Sequence, residues 1–401
     1  MQIFITANSP GELDGWVRPL TEKLKEKAPW IKINLILTPC QYASGMEAKV
    51  VKEWPWIDQI IEPKQILKYI FLGRRTFSFN FGEKSCIIFL GGDAFYAAVL
   101  SKKLKALAFA YTTKPRWKKY FEKFLVSDEK TKEKFIVQGV KQEKIEVVGH
   151  LSLDSIKITE SKDTIRHRLG ISPQKPLVTF LPGSRPVEIQ FMLPFFAKVA
   201  DLIRQNIPSV QFLLALSPFV NQEQVQRILK KEGIQIIQRN SFTTVKTKLG
   251  TKVGIVKENP HQAMSISQLI ITIPGTNNLQ IAWMGIPMIV TLPLNKAELI
   301  PMDGVIGLIS PKILPVALIK RYLIFKKNRE IEFISPPNII GKRLIVPELR
   351  GILNPQDVAK EALTLLKNSQ TREKISQELK EIAKQRGAAD NIAKIILNIL
   401  G

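Results

Sequence analysis

The chain has 401 residues, 45% of them hydrophobic, which suffices for a globular fold but exceeds one compact core. Its 59 lysines and arginines against 35 acidic residues give a net charge of +24, which predicts attraction to polyanions: nucleic acid, anionic lipid or phosphorylated substrates. The two cysteines exclude a disulfide framework, and no apolar run reaches the ~18 residues that would cross a bilayer.

The first part of the chain alternates predicted strands with predicted helices. It begins directly with a strand and lacks the basic region of a signal peptide, so a cytoplasmic location is expected. Strands are predicted at 2–7, 31–38, 86–91, 107–111, 124–127 and 145–149. Helices are predicted between them, for example at 16–27 and 94–104. This alternation is typical of a parallel, doubly wound sheet.

The same alternation restarts after a polar stretch at 155–176. Strands are predicted at 177–181, 210–216, 234–238, 253–256, 269–273 and 287–291. The polar segment 241–252 is expected to be a loop or a hairpin, and a helical region follows from about residue 355.

The predicted fold class is therefore α/β, with two Rossmann-like domains. The first domain is expected at 1–155, completed by a C-terminal helix at about 375–401, and the second at 156–374. Two such halves with trailing helices form the GT-B layout of glycosyltransferases, with an acceptor in the N-terminal half, a nucleotide sugar in the C-terminal half and a cleft between them. Some epimerases share parts of this layout, so the layout alone does not fix the function.

A predicted strand of the second half ends in a turn suited to phosphate. Glycine lets a backbone approach an anion, and a following helix start offers N–H groups. Arg185 adds a permanent charge and a fork that matches phosphate oxygens. We therefore expect a nucleotide diphosphate to be held by Gly183, Ser184, Arg185 and Glu188. The alternative is an ordinary strand-to-helix turn with a solvated arginine.

A second turn of this type follows the strand at 269–273. Its polar groups can hydrogen-bond phosphate and ribose, and the candidates are Gly275, Thr276, Asn277, Asn278 and Gln280. His261 precedes a predicted helix at the level expected for a uracil, with a buried structural histidine as the alternative.

Carboxylates follow two strands of the first half. Gly11, Glu12 and Asp14 come after the first strand, and Asp93 comes after the third. One of the three carboxylates is expected to deprotonate an acceptor hydroxyl as a general base. The alternative is that they cap helices, as Asp commonly does. His150, after the strand at 145–149, is a further candidate for the cleft.

Stretches that mix basic and apolar residues occur at 66–75 and 314–327, and they suit insertion beside anionic headgroups. The alternative is a helix packed on its own core with a solvated basic face. The segment 102–119 has seven lysines and arginines and no acid, which adds to the positive charge of the first half.

Several of these motifs resemble the lipid-A-disaccharide synthase family, glycosyltransferase family 19. The resemblance lies in 181–185 with Glu188, in Gly149-His150 with Asp154, and in the segments 335–340, 346–349 and 386–389. It covers most of the C-terminal half and is weaker in the N-terminal half.

The resemblance implies a hexosyltransferase that moves a diacylated glucosamine from UDP to an acylated glucosamine phosphate, with inversion and without metal or cofactor. It implies peripheral attachment to the inner face of the cytoplasmic membrane. Carried over by residue, Arg185 holds the diphosphate, Asn338 lies at the donor site, and Asp93 takes the place of a family carboxylate.

This sequence departs from the family pattern at 9–15, at 111–115 and in the second turn, where Gln280 stands in place of Glu. These departures leave open a related paralogue with another lipid or sugar acceptor. A UDP-sugar 2-epimerase and a non-catalytic basic protein that binds lipid or nucleic acid are further alternatives. The expected partners are a UDP-sugar, a lipid or acylated-sugar acceptor and an anionic membrane surface, with a homodimer left open. Nucleic acid is not expected, because aromatic-basic RNA motifs are absent.

Overall fold

A computed structural model describes residues 1–40, 43–74, 77, 84–239, 242–300 and 314–400. The chain divides into two compact units. The first comprises Met1–Ser155 together with Gln385–Gly401, and the second comprises Ile156–Lys384.

The first unit is built on a parallel sheet with the order β3-β2-β1-β4-β5-β6-β7 in the described residues. Its strands are β1 Gln2–Ala7, β2 Lys32–Leu37, β3 Gln59–Ile61, β4 Ser85–Phe89, β5 Leu107–Tyr111, β6 Lys123–Val126 and β7 Ile145–Val147. All six residues of β1 are buried, as a central strand covered on both faces requires. Its helices are α1 Pro10–Glu12, α2 Arg18–Lys27, α3 Glu47–Lys52, α4 Pro63–Leu72, α5 Ala94–Leu104, α6 Glu129–Val137 and α7 Leu151–Asp154, with a π-helical turn at Leu13–Val17 between α1 and α2.

The second unit is built on a sheet with the order β10-β11-β12-β9-β8-β13-β14-β15 in the described residues. Its strands are β8 Leu177–Leu181, β9 Gln211–Ala215, β10 Gln235–Arg239, β11 Phe242–Lys246, β12 Lys252–Val256, β13 Leu269–Thr272, β14 Met288–Pro293 and β15 Glu348–Gly351. The first three strands in the sheet order pair antiparallel, and the others pair parallel.

Helices cover this second sheet. They are α8 Lys162–Arg168, α9 Pro186–Asn206, α10 Gln222–Lys231, α11 Pro260–Ser265, α12 Asn277–Trp283, α13 Leu314–Glu330, α14 Pro336–Gly341, α15 Pro355–Lys367 and α16 Ser369–Ile382. The chain then returns to the first unit with α17 Ala388–Leu400. No helix in the described part of the chain has the length and apolar character needed to cross a membrane.

The α/β class and the two doubly wound sheets confirm the prediction from the strand and helix pattern. Two strands were missed, β3 and β15, because they have only three and four residues, mostly half-buried, and give no apolar run. The return to the first unit falls later than the predicted residue 375, because α16 packs on α12, α14 and α15 of the second unit.

Helix α17 is fastened to the first unit at its N-terminus. The Asp154 carboxylate accepts the amides of Gly387 and Ala389, both at 2.7 Å. Gly149 has φ +100°, and an added Cβ would lie 3.5 Å from the Cβ of Ala388. The segments around residues 150 and 387, which both resemble the family pattern, therefore form one structural joint.

Candidate active site

The turn after β8 has a geometry that requires glycine. Gly183 has φ +95°, and an added Cβ would lie 2.3 Å from Glu188 Oε2 and 2.6 Å from Ile273 Cδ1. Because Ile273 follows β13, the turns after β8 and β13 are in contact. The two glycine turns predicted from the sequence therefore lie side by side within the second unit.

Glu188 occupies the N-terminal end of α9. The amides of Ser184 and Arg185 both donate to its Oε2 at 3.0 Å, and Arg185 Nη1 donates to its Oε1 at 3.3 Å. An internal carboxylate therefore already accepts the two amides that we expected to contribute to phosphate binding. The Arg185 side chain is 39% exposed and lies at the mouth of the turn.

The turn after β13 is held by Asn278, which is fully buried. Its Oδ1 accepts the Gly275 amide at 3.2 Å, and its Nδ2 donates to the Ile273 carbonyl at 3.1 Å. Thr276 and Asn277 are half-buried and Gly275 is exposed, so these three present the ligand-accessible part of the turn. Asn278 holds the turn in place through its two hydrogen bonds to the backbone.

Gln280 and His261 are both buried, at 4% and 3% exposure. The protein therefore covers almost all of both side chains, so a bound ligand could reach little of either one. A cavity of about 190 Å³ lies at the carboxyl ends of β9 and β12. Its walls include apolar Leu216, Pro218 and Val225 and polar Ser217, Lys257 and Glu258.

The side chain of Asn338 has no hydrogen-bonding position left for a sugar-nucleotide ligand. Its Nδ2 donates to the Val346 carbonyl and to Glu348 Oε1, and its Oδ1 accepts the amides of Ile345 and Val346. Two donors and two acceptor sites are the whole capacity of an asparagine side chain. Because the residue is also fully buried, the placement of Asn338 at the donor site, implied by the resemblance, is not what the structure shows.

Glu12 braces two loops of the first unit. Its Oε2 accepts the amides of Asn8 and Ser9, both at 3.1 Å, and its Oε1 accepts the Gly92 amide at 3.4 Å. An added Cβ at Gly91 would lie 2.1 Å from the carboxyl carbon of Glu12. Burial raises the pKa of Glu12, and the three amides oppose that rise. The geometry makes Glu12 a brace between the loop after β1 and the loop after β4.

Asp14 and Asp93 differ in what their carboxylates contact. Asp14 forms an ion pair with Arg18 at 3.0 Å. Asp93 caps α5, and its Oδ1 accepts the Phe95 amide at 2.9 Å. Because Asp93 is exposed and caps through a single oxygen, its other oxygen lies open to solvent or a ligand. Gly11 lies in α1 and is half-buried.

His150 lies beside a carboxylate that sequence reasoning missed. It precedes α7 after β7, while Asp128 caps α6 after the neighbouring β6. Burial lowers the pKa of His150, and the charge of Asp128 opposes that shift. Tyr111 ties the same edge together, because its hydroxyl donates to the Gly149 carbonyl and accepts the Leu151 amide. Asp128 and His150 follow two consecutive predicted strands, β6 and β7, which pair in parallel. That order was the signal in the sequence that could have linked these two residues.

The burial of Glu12 predicts a pH-dependent stability difference. A carboxyl whose folded pKa is raised contributes stability that is present below its unfolded value of 4.5 and is lost as the pH rises through the folded pKa. Relative to Glu12→Gln, the wild type should therefore lose free energy of unfolding as the pH rises from 4.5 toward 7. Chemical denaturation at several pH values measures this difference.

Glu133→Gln is the control, since it removes an exposed carboxylate from α6. If the stability of the wild type relative to Glu12→Gln stays constant or increases as the pH rises, the raised pKa of the buried Glu12 carboxyl would be contradicted.

Solved structures with the same architecture are UDP-GlcNAc 2-epimerase from Neisseria meningitidis bound to UDP-GlcNAc and MurG from Acinetobacter baumannii. The epimerase matches with a TM-score of 0.57 and 15% identity, covering 99% of this chain and 100% of that chain. MurG matches with a TM-score of 0.51 and 13% identity, covering 99% of each chain. Together with the two Rossmann-like sheets, these matches define an α/β protein of the GT-B class.

The sequence comparisons narrow this class to one family. A sequence model of the lipid-A-disaccharide synthetase family matches residues 135–399, which is more than half of the chain. The chain therefore belongs to that family, as the motifs predicted. Lipid-A-disaccharide synthase from Synechocystis sp. is 30% identical over 257 residues, covering 62% of this chain and 55% of that relative. The match thus spans about half the length of the relative.

Proposed function

We propose that this protein is an inverting hexosyltransferase that moves a sugar from a UDP-sugar to a lipid or acylated-sugar acceptor without a metal or cofactor. The observation that carries the proposal is the pair of touching turns after β8 and β13 with Arg185 at their mouth, in a chain of the lipid-A-disaccharide synthetase family. The second unit binds the donor, and the first unit binds the acceptor.

The donor assignment is supported by the position of the turns. Ligands of open, parallel α/β sheets bind outside the carboxyl ends of the strands. The two turns and the cavity lined by Ser217 and Lys257 all lie at that edge of the second sheet. We assign the turns to the diphosphate and the cavity to the base, with Thr276 and Asn277 as candidates for the ribose.

Glu188 changes how the diphosphate is held. Its carboxylate already accepts the two turn amides that could otherwise bind a phosphate oxygen. A diphosphate therefore binds through the Arg185 guanidinium, whose fork accommodates two phosphate oxygens. Because Glu188 contacts that guanidinium, it also fixes where the fork lies.

In the proposed reaction, side chains of this chain accept the proton and neutralise the leaving group. Asp93 takes the proton of the acceptor hydroxyl, and the oxygen forms a bond to the anomeric carbon from the face opposite the leaving group. The bond from that carbon to the diphosphate oxygen breaks, and UDP departs with the electron pair. Arg185 neutralises the charge that develops on the departing diphosphate.

Among the three candidate carboxylates, Asp93 fits the role of the base best. Glu12 accepts hydrogen bonds from three amides, and Asp14 forms an ion pair with Arg18. Asp93, in contrast, accepts one amide through a single oxygen and keeps the other oxygen exposed. We expect Asp93→Asn to lower the turnover number by about 10²- to 10⁴-fold, the usual contribution of a general base. Asparagine still caps a helix, so α5 stays intact. Asp14→Asn is the matched control. If it lowers the turnover number as much as Asp93→Asn does, the assignment of Asp93 as the base loses its support.

A UDP-sugar 2-epimerase is the second candidate, because the fold matches such an enzyme over the whole chain. An epimerase consumes no acceptor. Incubating a UDP-sugar alone distinguishes the two, because a transferase leaves the sugar unchanged while an epimerase converts it to its 2-epimer.

The binding of UDP tests the donor site without knowledge of the acceptor. Calorimetric titration of the whole protein should give an affinity for UDP that exceeds the affinity for uridine by at least about tenfold, because the diphosphate adds charge-assisted hydrogen bonds. Equal affinities for the two, or no affinity for either, would contradict the proposed diphosphate site.

The family resemblance also implies where the protein works. We propose that it attaches peripherally to the inner face of the cytoplasmic membrane, where a lipid acceptor is found. The net charge of +24 supports attraction to an anionic surface.

A further inference from the structure

A row of aromatic rings lies on the first unit, close in sequence to Asp93. Phe95, in the first turn of α5, has its ring 5.6 Å from that of Trp117. Trp117 in turn lies 6.1 Å from the Tyr120 ring. Phe95 and Trp117 lie more than twenty residues apart in sequence, and both ring pairs pack at tilted angles of 55° and 59°, so the row is a product of the fold.

The fold holds this row out toward solvent. Trp117 is 43% exposed and Tyr120 is 41% exposed. Trp117 has φ +54°, in the left-handed region that a bulky residue seldom adopts. The loop is nevertheless ordered, because the Arg116 amide donates to the Lys114 carbonyl and the Tyr120 amide donates to the Trp117 carbonyl. A strained backbone that keeps a large ring exposed is typical of a binding surface.

Cations flank Trp117 and Tyr120 in the sequence. Lys114, Arg116, Lys118 and Lys119 are all exposed, and Lys118 is anchored to the Gln138 carbonyl. No acidic residue occurs between 102 and 119. The acids nearest in sequence are Asp93 and Glu122. The surface therefore combines exposed aromatic rings with a local excess of positive charge.

We propose that this aromatic-basic surface, made of Phe95, Lys114, Arg116, Trp117, Lys119 and Tyr120, docks on an anionic lipid bilayer. Tryptophan and tyrosine favour the headgroup region, because each combines an apolar ring with a polar tip. Lysine and arginine beside them attract the phosphates of anionic lipids. The charge complementarity favours a negatively charged surface over a neutral one.

This inference deepens the proposed function, because it names the face that meets the membrane. Asp93 precedes Phe95 by two residues, so docking here brings the proposed base close to the lipid surface. A lipid acceptor would then reach Asp93 directly from the bilayer.

Co-sedimentation of the full chain with vesicles tests the proposal. We expect the wild type to bind vesicles with 30% phosphatidylglycerol in phosphatidylcholine at least about tenfold more tightly than pure phosphatidylcholine vesicles. The double variants Trp117→Ala/Tyr120→Ala and Arg116→Glu/Lys119→Glu should each lose about tenfold or more of that binding. Circular dichroism and UDP affinity verify that each variant is folded.

Matched controls lie elsewhere on the same unit. Trp30→Ala removes a tryptophan that is 72% exposed, and Lys130→Glu/Lys134→Glu reverses two exposed charges on α6. Both controls should bind anionic vesicles like the wild type. If the controls lose as much vesicle binding as the surface variants do, binding does not depend on this particular surface, and the proposal is overturned.

Two other surfaces compete with the aromatic-basic surface: Phe71 and Leu72 of α4 are 67% and 65% exposed, and Leu318 and Tyr322 of α13 are 60% and 67% exposed. If Phe71→Ala/Leu72→Ala or Leu318→Ala/Tyr322→Ala abolishes vesicle binding while the aromatic-basic variants bind normally, the proposal is wrong. Preferential binding to single-stranded nucleic acid over vesicles would also overturn it. Loss of UDP binding with vesicle binding intact would refute the proposed function alone.

Discussion

Replacing Arg185 with alanine is expected to lower UDP affinity by about 10- to 100-fold, because one charge-assisted hydrogen bond contributes roughly 1.5–3 kcal/mol. Turnover should fall further, by about 10²- to 10³-fold, because the guanidinium faces charge that grows as UDP leaves. Calorimetric titration measures the first effect, and steady-state kinetics measure the second.

Two variants control for this experiment. Lys198→Ala removes an exposed cation from the same helix, α9, and should leave both values unchanged. Arg185→Lys keeps the charge but loses the fork, so it should recover part of the affinity. If Arg185→Ala and Lys198→Ala behave alike, the diphosphate is not held at this turn.

Replacing Asp154 with alanine is expected to cost about 2–4 kcal/mol of unfolding free energy in the first unit, since two charged hydrogen bonds and a helix cap are lost together. The side chain is 11% exposed, so water replaces these bonds only in part. The amides of Gly387 and Ala389 would lose their acceptor, and α17 should detach first. Hydrogen exchange of the α17 amides and urea unfolding report this loss.

Asp154→Asn should cost less, because the amide side chain keeps one acceptor for the two backbone donors. Asp163→Ala, which removes a 92% exposed carboxylate from α8, should have little effect. Unchanged exchange in α17 of Asp154→Ala would show that packing alone holds the C-terminal helix.

Both units contain a glutamate that braces the loop before its helix, and this brace explains why glycine is required beside it. After β1 and after β8, a glutamate in the first turn of the helix accepts two amides of the preceding loop. Glycine lies against each carboxylate, at Gly91 and at Gly183, where a Cβ would collide with it. These glutamates therefore set the shape of the loops, and their proximity to the expected sites does not make them ligands.

The turns and sheets could be predicted from the sequence because their signals are local. Apolar runs that end in Gly183 or Gly275 mark a strand that enters a helix, whatever the rest of the chain does. The alternation of such runs was enough to predict two doubly wound sheets. The short edge strands β3 and β15 gave no comparable run, so they were missed.

The roles of individual side chains could not be predicted in the same way. Whether Glu12 or Asn338 is open to a ligand depends on which backbone amides the fold brings to it, and spacing along the chain does not reveal that. The row formed by Phe95 and Trp117 depends likewise on tertiary packing. The pattern of residues indicated candidate sites, and only the hydrogen bonds separated the residues that brace loops from those that remain candidate ligands.

The most direct test of the account is product formation. The purified protein would be incubated with UDP-2,3-diacylglucosamine and an acylated glucosamine 1-phosphate, and the products would be read by mass spectrometry. We expect an acylated disaccharide phosphate and UDP in equal amounts, both formed about 10²- to 10³-fold more slowly by Arg185→Ala. Release of UDP without any glycosylated product, or a product formed equally by Arg185→Ala, would contradict the account.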